Sequence, residues 1–441
     1  MFGAKGDGSE DDSLAFSNMV NFVNENDTPI YLEKVYYITI SLVLTNYNVR
    51  IFGGGTIKRV VASYHSGTNN ILLYCHGYKT LYINNVKFKN SIVDKSAVSE
   101  TDTRYYTVFC QPSADNEYSI IENCEFDNDI GNPIFTTTSL KPYYGCVAFG
   151  EVGRIIYNVT IKNNKIYGGS GRVVYLRTVH NFVIFNNYIE TKEYENYSNY
   201  STVMMIRLLS CKNGDVYGNE IINNTGNVNQ VNRALYIDTN DDVEGVKTPC
   251  DNIRIHDNNI KCSSTNATVL YLASAKDIIL HDNIIDSSKC FICDNHSQGA
   301  ICVYAIEHNI FINPDRSQLL SLYSFLDFDS SSYIKFVNNT FVVDQKLANI
   351  YPSIDEIPDR ITIYDNTQLV NGVEYNIGLP NETDKSVTRQ SIVYTGPVTY
   401  TITGPTNKQF ACFVSILGAD KTRLFAGVLS SYGAGSVRNN L

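Results

Sequence analysis

The chain has 441 residues, 43% of them hydrophobic, and its 45 acidic against 35 basic side chains give a formal charge of −10. That composition supplies a sizeable core, while the acidic balance and the lack of any Lys/Arg block exclude nucleic acid as the main partner. No apolar run reaches the roughly 18 residues of a membrane span, so no membrane insertion is expected, and no signal peptide opens the chain, so export by the usual route is not expected either.

The chain begins Phe2-Gly-Ala-Lys-Gly-Asp-Gly-Ser-Glu-Asp-Asp12 and continues Ser13-Leu-Ala-Phe16-Ser-Asn-Met-Val20-Asn-Phe-Val23. The apolar spacing of the second part predicts a short amphipathic helix, with the Asp/Ser run before it as its cap. Thr28–Leu32, Tyr36–Ile40 and Val49–Ile57 alternate with period two and predict the first strands. Gly53–Gly55 has no Lys-Ser/Thr ending and no helix after it, so a tight turn is expected there and not a phosphate loop. No cofactor is implied.

A phrase then returns along the chain: aliphatic, two polar residues, Asn, one more residue, aliphatic. It reads Ile161-Lys-Asn-Asn164-Lys-Ile166, and it recurs at Asn187, Asn219, Asn258, Asn283, Asn309, Asn339 and Asn366. Two earlier copies carry Val86 and Cys124 at the Asn position. Successive copies lie 23 to 40 residues apart, which marks a solenoid with variable insertions. The Asn is expected at an inward turn, stacked on its equivalents in a purely structural role.

Together the opening motif and the repeats resemble the pectate-lyase-like, single-stranded right-handed parallel β-helix of bacteriophage tailspikes and related polysaccharide-degrading enzymes. The resemblance covers about residues 2–370 and implies an all-β solenoid with an N-terminal capping helix. It further implies a homotrimeric depolymerase on the virion tail that binds and cleaves a bacterial surface polysaccharide, capsule or O-antigen. The chain starts almost on the entry motif, as expected of a form trimmed of flanking domains.

After about residue 381 the repeat fades. Ser391–Tyr394, Val398–Ile402, Ala411–Ile416 and Arg423–Val428 predict a small C-terminal β domain. The expected division is 1–60 for the entry motif, helix and first strands, 61–380 for the β-helix with its groove, and 381–441 for the β domain, in trimerisation or glycan binding. The 11 cysteines form no disulfide framework, and most are expected to be small buried hydrophobes. Cys290 and Cys293 lack a second pair, so no metal site is expected.

Counting roughly 11–13 residues back from the Asn gives Val174–Arg177, Met204–Arg207, Leu235–Asp238 and Leu270–Ala273. With Leu176, Ile206, Ile237 and Leu272 inward, two outward columns are expected. One holds Tyr175, Met205, Tyr236 and Tyr271, and the other Arg177, Arg207, Asp238 and Ala273. A sugar chain would pack on the Tyr faces, with the arginines gripping acidic substituents in bidentate fashion. The bland alternative is an Arg–Asp ladder that keeps the face soluble. The segments 127–145 and 190–200 are expected to wall the groove.

Hydrolysis needs two carboxyl groups, about 5–5.5 Å apart for retention or about 6.5–9.5 Å for inversion. Asp238 with Asp241 is the expected pair, and Asp242 is an equal stand-in. Glu151, about three rungs or roughly 14 Å from Asp238, is expected only to line subsites. The rival chemistry is β-elimination from a uronic acid, with Arg177 or Arg207 neutralising the carboxylate and Tyr175, Tyr236 or His180 moving protons. Two non-hydrolytic or cellular readings stand beside these: a receptor-binding adhesin without catalysis, and a secreted pectinase-like enzyme. His256 and His281, each followed by Asp, are expected to be a solvated ladder on another face, and Glu190 and Glu220 to be outward charges without evident partners.

Overall fold

A computed structural model of the chain describes residues 2–62, 70–93, 104–129, 143–150, 154–168, 171–191, 202–225, 231–239, 242–243, 246–263, 267–273, 275–287, 289–294, 303–312, 314, 320–321, 332–343, 361–364, 366–370, 373–376, 392–393, 410–417 and 423–431. Three long sheets of 14, 12 and 10 strands run the length of the solenoid. Each coil contributes one strand to each sheet, and strands of successive coils pair in parallel. The coil at 171–191 is representative. Gly171–Arg177 lies in the ten-stranded sheet, Val179–Phe185 in the twelve-stranded sheet and Tyr188–Thr191 in the fourteen-stranded sheet. The architecture is the expected parallel β-helix with one helix among the described residues.

The repeated phrase builds the corner between the second and third sheets. Its first aliphatic residue pairs in register along the axis, Ile161 with Ile184, Val216, Ile255, Leu280, Ile306, Phe336 and Ile363 in turn. Its last does the same from Ile166 through Ile189, Ile221, Ile260, Ile285, Phe311 and Phe341 to Gln368. Except for Ile363, whose side chain is not described, and Gln368, a buried polar side chain, both columns belong to one buried apolar core.

Between these columns the chain turns through two residues. The first takes a left-handed conformation, as at Asn163, Asn186, Asp257, Asp282, His308 and Asn338, with φ between 53° and 58°, and Gly218 at 62°. Asn, Asp and Gly tolerate that region best, which explains the polar residue before each Asn. The second is the Asn itself, buried in every copy from Asn164 to Asn366. The backbone N–H and Nδ2 of Asn187 both donate to Asn219 Oδ1 at 3.0 Å, and Asn187 Nδ2 also donates to Ile161 O at 2.9 Å. The pattern repeats from Asn164 to Asn187 and onward to Asn366. Each buried amide thus meets the hydrogen-bonding needs of its own coil and of the next.

Ser13–Asn26 forms the predicted helix and covers the first coil with Ala15, Phe16, Val20 and Val23. The Asp/Ser run caps it through Asp11, whose Oδ1 accepts the Ser13 amide at 2.9 Å. Asp12 stands at the N-cap but makes no side-chain bond into the helix. Its carboxylate accepts the Lys5 and Gly6 amides instead, at 2.7 and 3.2 Å, so it folds the entry motif back onto the helix start. Coiling begins early: Ile30–Leu32 already pairs in parallel with Asn48–Gly53. Gly53 (φ +116°) and Gly55 form the expected tight turn, where a Cβ on Gly53 would lie 1.9 Å from the Leu32 carbonyl oxygen.

Cys124 and Cys146 are buried free thiols, as expected; Cys302 lies outside the described residues. Near the C-terminus, Phe410–Leu417 pairs antiparallel with Arg423–Ser431 and parallel with Ile392–Val393. The strand expected at Val398–Ile402 lies outside the described residues.

Replacing Asn219 by Leu strips Asn187 of its acceptor and the Ile184 and Tyr217 carbonyls of a donor. Loss of about 3 kcal/mol or more is expected from a urea unfolding midpoint. Asn213→Gly, at an exposed left-handed position (φ 53°), should cost less than about 1 kcal/mol.

Candidate functional site

The candidate site lies on the outer face of the ten-stranded sheet. Its strands do not alternate strictly. Val173 with Val174, Met205 with Ile206, Ala234 with Leu235, and Val269 with Leu270 are consecutive residues that all join the apolar core. The outward set in each strand is therefore one residue, then a gap of two, then every second residue. Pairing aligns three outward columns. The first contains Arg172, Met204, Arg233 and Thr268. The second contains Ala148, Tyr175, Arg207, Tyr236 and Tyr271. The third contains Arg177, Leu209 and Asp238.

Two expectations are corrected by this register. Arg207 stands in the column of the tyrosines, not in that of Arg177 and Asp238, a displacement of two residues. Met205 belongs to the core, and its neighbour Met204 packs outside with Tyr236 and Tyr271. The cause is the corner. Thr178 and Ser210 are the left-handed corner residues (both φ 53°), and each precedes its ladder Asn, 187 and 219, by the same nine positions. Arg177 and Leu209 sit just before those corners, so they must pair.

The tyrosine faces are not turned to solvent. Tyr236 stacks on Tyr271 with centroids 4.7 Å apart. The Arg207 guanidinium lies 5.7 Å from the Tyr175 ring and 5.1 Å from the Tyr236 ring. Arg172 covers Tyr175 at 4.6 Å, and Arg233 covers Tyr271 at 5.0 Å. Arginine and tyrosine thus interleave in one stack, each cation–π contact contributing roughly 0.5–2 kcal/mol. Because the rings spend their faces on each other and on the guanidinium groups, Tyr175, Tyr236 and Tyr271 are buried, as are Arg207 and Asp238. The open sugar platform expected from the sequence is therefore a closed stack, flanked by the half-buried Arg172, Arg177 and Arg233.

Asp238 is tied down at every backbone and side-chain atom that can accept. Its Oδ1 accepts the Thr239 amide at 2.7 Å, and its Oδ2 lies 3.4 Å from an Arg207 terminal nitrogen. Its carbonyl accepts the Ser210 amide at 3.1 Å and the Cys250 thiol at 3.4 Å. At the other end of the strand, Asn232 Nδ2 donates to Thr225 Oγ1 at 2.8 Å, and Asn223 Nδ2 donates to Asn232 Oδ1 at 2.7 Å, pinning its entry. Burial, with the Asp238 carboxylate beside it, pushes the Tyr236 phenol well above its ordinary value. Burial does the same to the Tyr106 phenol four strands away in this sheet.

The remaining expected residues fall elsewhere. Glu151 and Asp241 lie outside the described residues; of Asp242 only the backbone is described, in a short antiparallel pairing of Asp242–Val243 with Val246–Lys247. His180 belongs to the twelve-stranded sheet, in register between Tyr157 and Lys212, and meets Tyr157 edge-on at 5.8 Å. Most of the expected walls, 130–142 and 192–200, lie outside the described residues. Sequence reasoning missed Arg172 and Arg233, although Arg172-Val-Val-Tyr175 and Arg233-Ala-Leu-Tyr236 repeat one spacing. It also missed Asp294, which pairs with Ala273 and so occupies the register of Asp238 two strands on. Among the described side chains of this sheet Asp238 is the one carboxylate, against four arginines.

His256 and His281 form part of a stack on the twelve-stranded sheet, Phe185 to Tyr217 to His256 to His281, with centroids 4.9–5.0 Å apart. Each His Nδ1 bonds the following Asp, at 2.8 and 2.7 Å. No cluster of metal-ligating side chains occurs among the described residues. Of the two outward charges expected to lack partners, Glu190 has them: it accepts from the Tyr188 hydroxyl at 2.8 Å and from Asn224 at 2.9 Å.

No family model matches the chain, and no curated protein matches it in sequence. Among solved structures it is similar to the Dettilon tailspike protein gp208, 14% identical with a TM-score of 0.47, covering 83% of this chain and 68% of that one. It is similar to a hyperthermoactive exopolygalacturonase from Thermotoga maritima, 14% identical with a TM-score of 0.43, over 83% and 86% of the two chains. A third is PfbA, a surface adhesin of Streptococcus pneumoniae, 11% identical with a TM-score of 0.36, over 83% and 88%. These neighbours share the solenoid; the chemistry of this chain rests on its own residues.

Two measurements test the electrostatics. A double-mutant cycle of Arg207→Gln and Asp238→Asn on the unfolding midpoint should give a coupling of about 2 kcal/mol, as for a buried pair in contact. His180 is held below its ordinary value of 6.5, by burial first and then by Lys212. The unfolded chain therefore takes up this proton at higher pH than the folded one, and stability should fall as pH drops below about 6.5. His180→Gln should flatten that slope.

Proposed function

We propose that this solenoid binds and hydrolyses an acidic bacterial surface polysaccharide on the outer face of its ten-stranded sheet. The observation that carries this reading is the concentration of Arg172, Arg177, Arg207 and Arg233 on three consecutive strands of a chain whose net charge is −10. Guanidinium groups recognise carboxylates through paired, planar donors, and the tyrosines between them fix their orientation. The three half-buried arginines meet the glycan first and lead its acidic groups towards Arg207. In keeping with the entry motif, the protein works as a homotrimer on a virion tail.

In this reading Asp238 is the base that activates water. The acid comes from Asp294, in the same register two strands away, or from Asp241 or Asp242 in the connection after Asp238. Two rungs separate backbones by about 9.6 Å, within reach of the roughly 6.5–9.5 Å carboxyl separation of an inverting hydrolase. Elimination with Tyr236 as base is disfavoured, because a phenol whose proton affinity is raised by burial keeps its proton.

Asp238→Asn should lower reducing-end release from capsule or O-antigen by about 10²–10⁴-fold with the circular-dichroism spectrum unchanged. Cleavage at the wild-type rate would show the base to be elsewhere. Among Asp294→Asn, Asp241→Asn and Asp242→Asn, the variant with a comparable loss identifies the acid. Arg177→Gln or Arg233→Gln should weaken binding of an acidic glycan about tenfold, and of its carboxyl-reduced form far less. Retention of intact glycan without new reducing ends would make the protein an adhesin, and an unsaturated-uronate absorbance would make it a lyase.

A further inference from the structure

The contact between Arg207 and Asp238 is poorer than its burial requires. Both side chains are at most 8% exposed, yet they meet through one N···O approach of 3.4 Å. A charge-assisted bond of this kind ordinarily closes to about 2.7–2.9 Å. Arg207 Nε is buried and makes no hydrogen bond within the protein. Leaving such a donor unmet costs roughly 1–3 kcal/mol, and more for a charged group. Neither partner is free to improve the geometry. Tyr175 and Tyr236 sandwich the guanidinium, and the Thr239 amide holds Asp238 Oδ1 at 2.7 Å. Arg207 is thus a rigid fork with more donor capacity than Asp238 can use.

We infer that Arg207 holds Asp238 in reserve, and that an anionic substituent of the glycan takes over the Arg207 donors and thereby releases Asp238 to act as base. This rests on the hydrolase reading above. In the free protein, one guanidinium faces one carboxylate. When a glycan carboxylate pairs with Arg207, two anions share one cation. The less well paired carboxylate is Asp238, and its basicity rises. It then takes a proton from water as the water oxygen bonds to the anomeric carbon. The glycosidic C–O bond breaks, and the leaving oxygen takes its proton from the second carboxyl group. The charge on the sugar therefore serves turnover as well as binding.

Among the described side chains, the other charged and titratable groups near Asp238 are Tyr236 on its own strand and Cys250 after it, with Arg177 two strands earlier in its column. Burial raises Tyr236, and burial with the neighbouring Cys211 raises the Cys250 thiol, so both keep their protons through the acid range. The pH dependence of the acid limb thus reports Asp238.

The test compares kcat/KM and kcat against pH for an acidic capsular polysaccharide that the protein cleaves, and for the same polymer after carboxyl reduction. The acid limb of kcat/KM reports the free protein, and that of kcat the complex. With the acidic polymer the kcat limb should lie about one pH unit or more above the kcat/KM limb. With the reduced polymer the two limbs should coincide, and kcat itself should fall. In Arg207→Gln they should coincide for both polymers. Calorimetry in buffers of different ionisation heat gives a second readout: wild type takes up protons on binding the acidic polymer, and Asp238→Asn does not. Coincident limbs for wild type with the acidic polymer overturn the release mechanism while leaving hydrolysis intact. Unimpaired cleavage by Asp238→Asn overturns the hydrolase assignment itself. If Arg207→Gln fails to fold, the wild-type limbs and proton uptake decide alone.

Discussion

The buried asparagine ladder is the interaction on which the rest of the structure depends. At this one corner the chain passes between sheets through two residues in every described coil, from Asn85-Val86 onward. A shorter or longer turn would break the bond from one amide to the next, because each acceptor must lie one rung from its donor. The other connections carry no such constraint. The path from the fourteen-stranded to the ten-stranded sheet is as short as that between Gly168 and Gly171 and as long as that between Asp129 and Tyr143. The irregular spacing of the repeats is confined to places where nothing is locked to the coil above.

A rigid axial register has a consequence on the outside of the solenoid. Side chains that recur at one position are forced into columns about 4.8 Å apart, close to the spacing at which flat groups stack. Tyr236 on Tyr271 and Phe185 through His281 both follow this rule. A column of arginines alone would repel itself. Alternation with tyrosine places a polarisable face against each cation and lets Arg207 stay charged while buried. The scaffold and the site are thus one geometric solution used twice, first with amides inside and then with guanidinium groups and rings outside.

Much of this was legible in the sequence. The phrase around each Asn shows its period, its inward columns and its turn chemistry directly, because every one of these is local. The outer columns were legible only in part. Tyr175, Tyr236, Tyr271, Arg207 and Asp238 were correctly placed on one face, but Arg207 was set two residues out of register. The double inward step at Met205-Ile206 hides in a run of hydrophobics, where any alternation fits. The better ruler was the small polar residue at the preceding corner, Thr178 or Ser210, which stands nine positions before its ladder Asn in both coils. Asp294 escaped notice for a different reason: its neighbour in the column, Ala273, carries no polar signal, and only strand pairing links it to Asp238.

The closure of the face also bears on how such a protein distinguishes its ligand. Neutral sugars stack on open aromatic platforms, and here no ring of the column offers a face. What the stack offers instead is fixed positive charge in a low-dielectric setting, where pairing with an anion is worth more than in water and a missing anion leaves a buried donor unmet. Discrimination on that basis comes from the penalty for the wrong ligand as much as from contact with the right one. In the proposed function, rigid arginines beneath a covered surface would select for charge before shape, with the ladder fixing the register that sets them there.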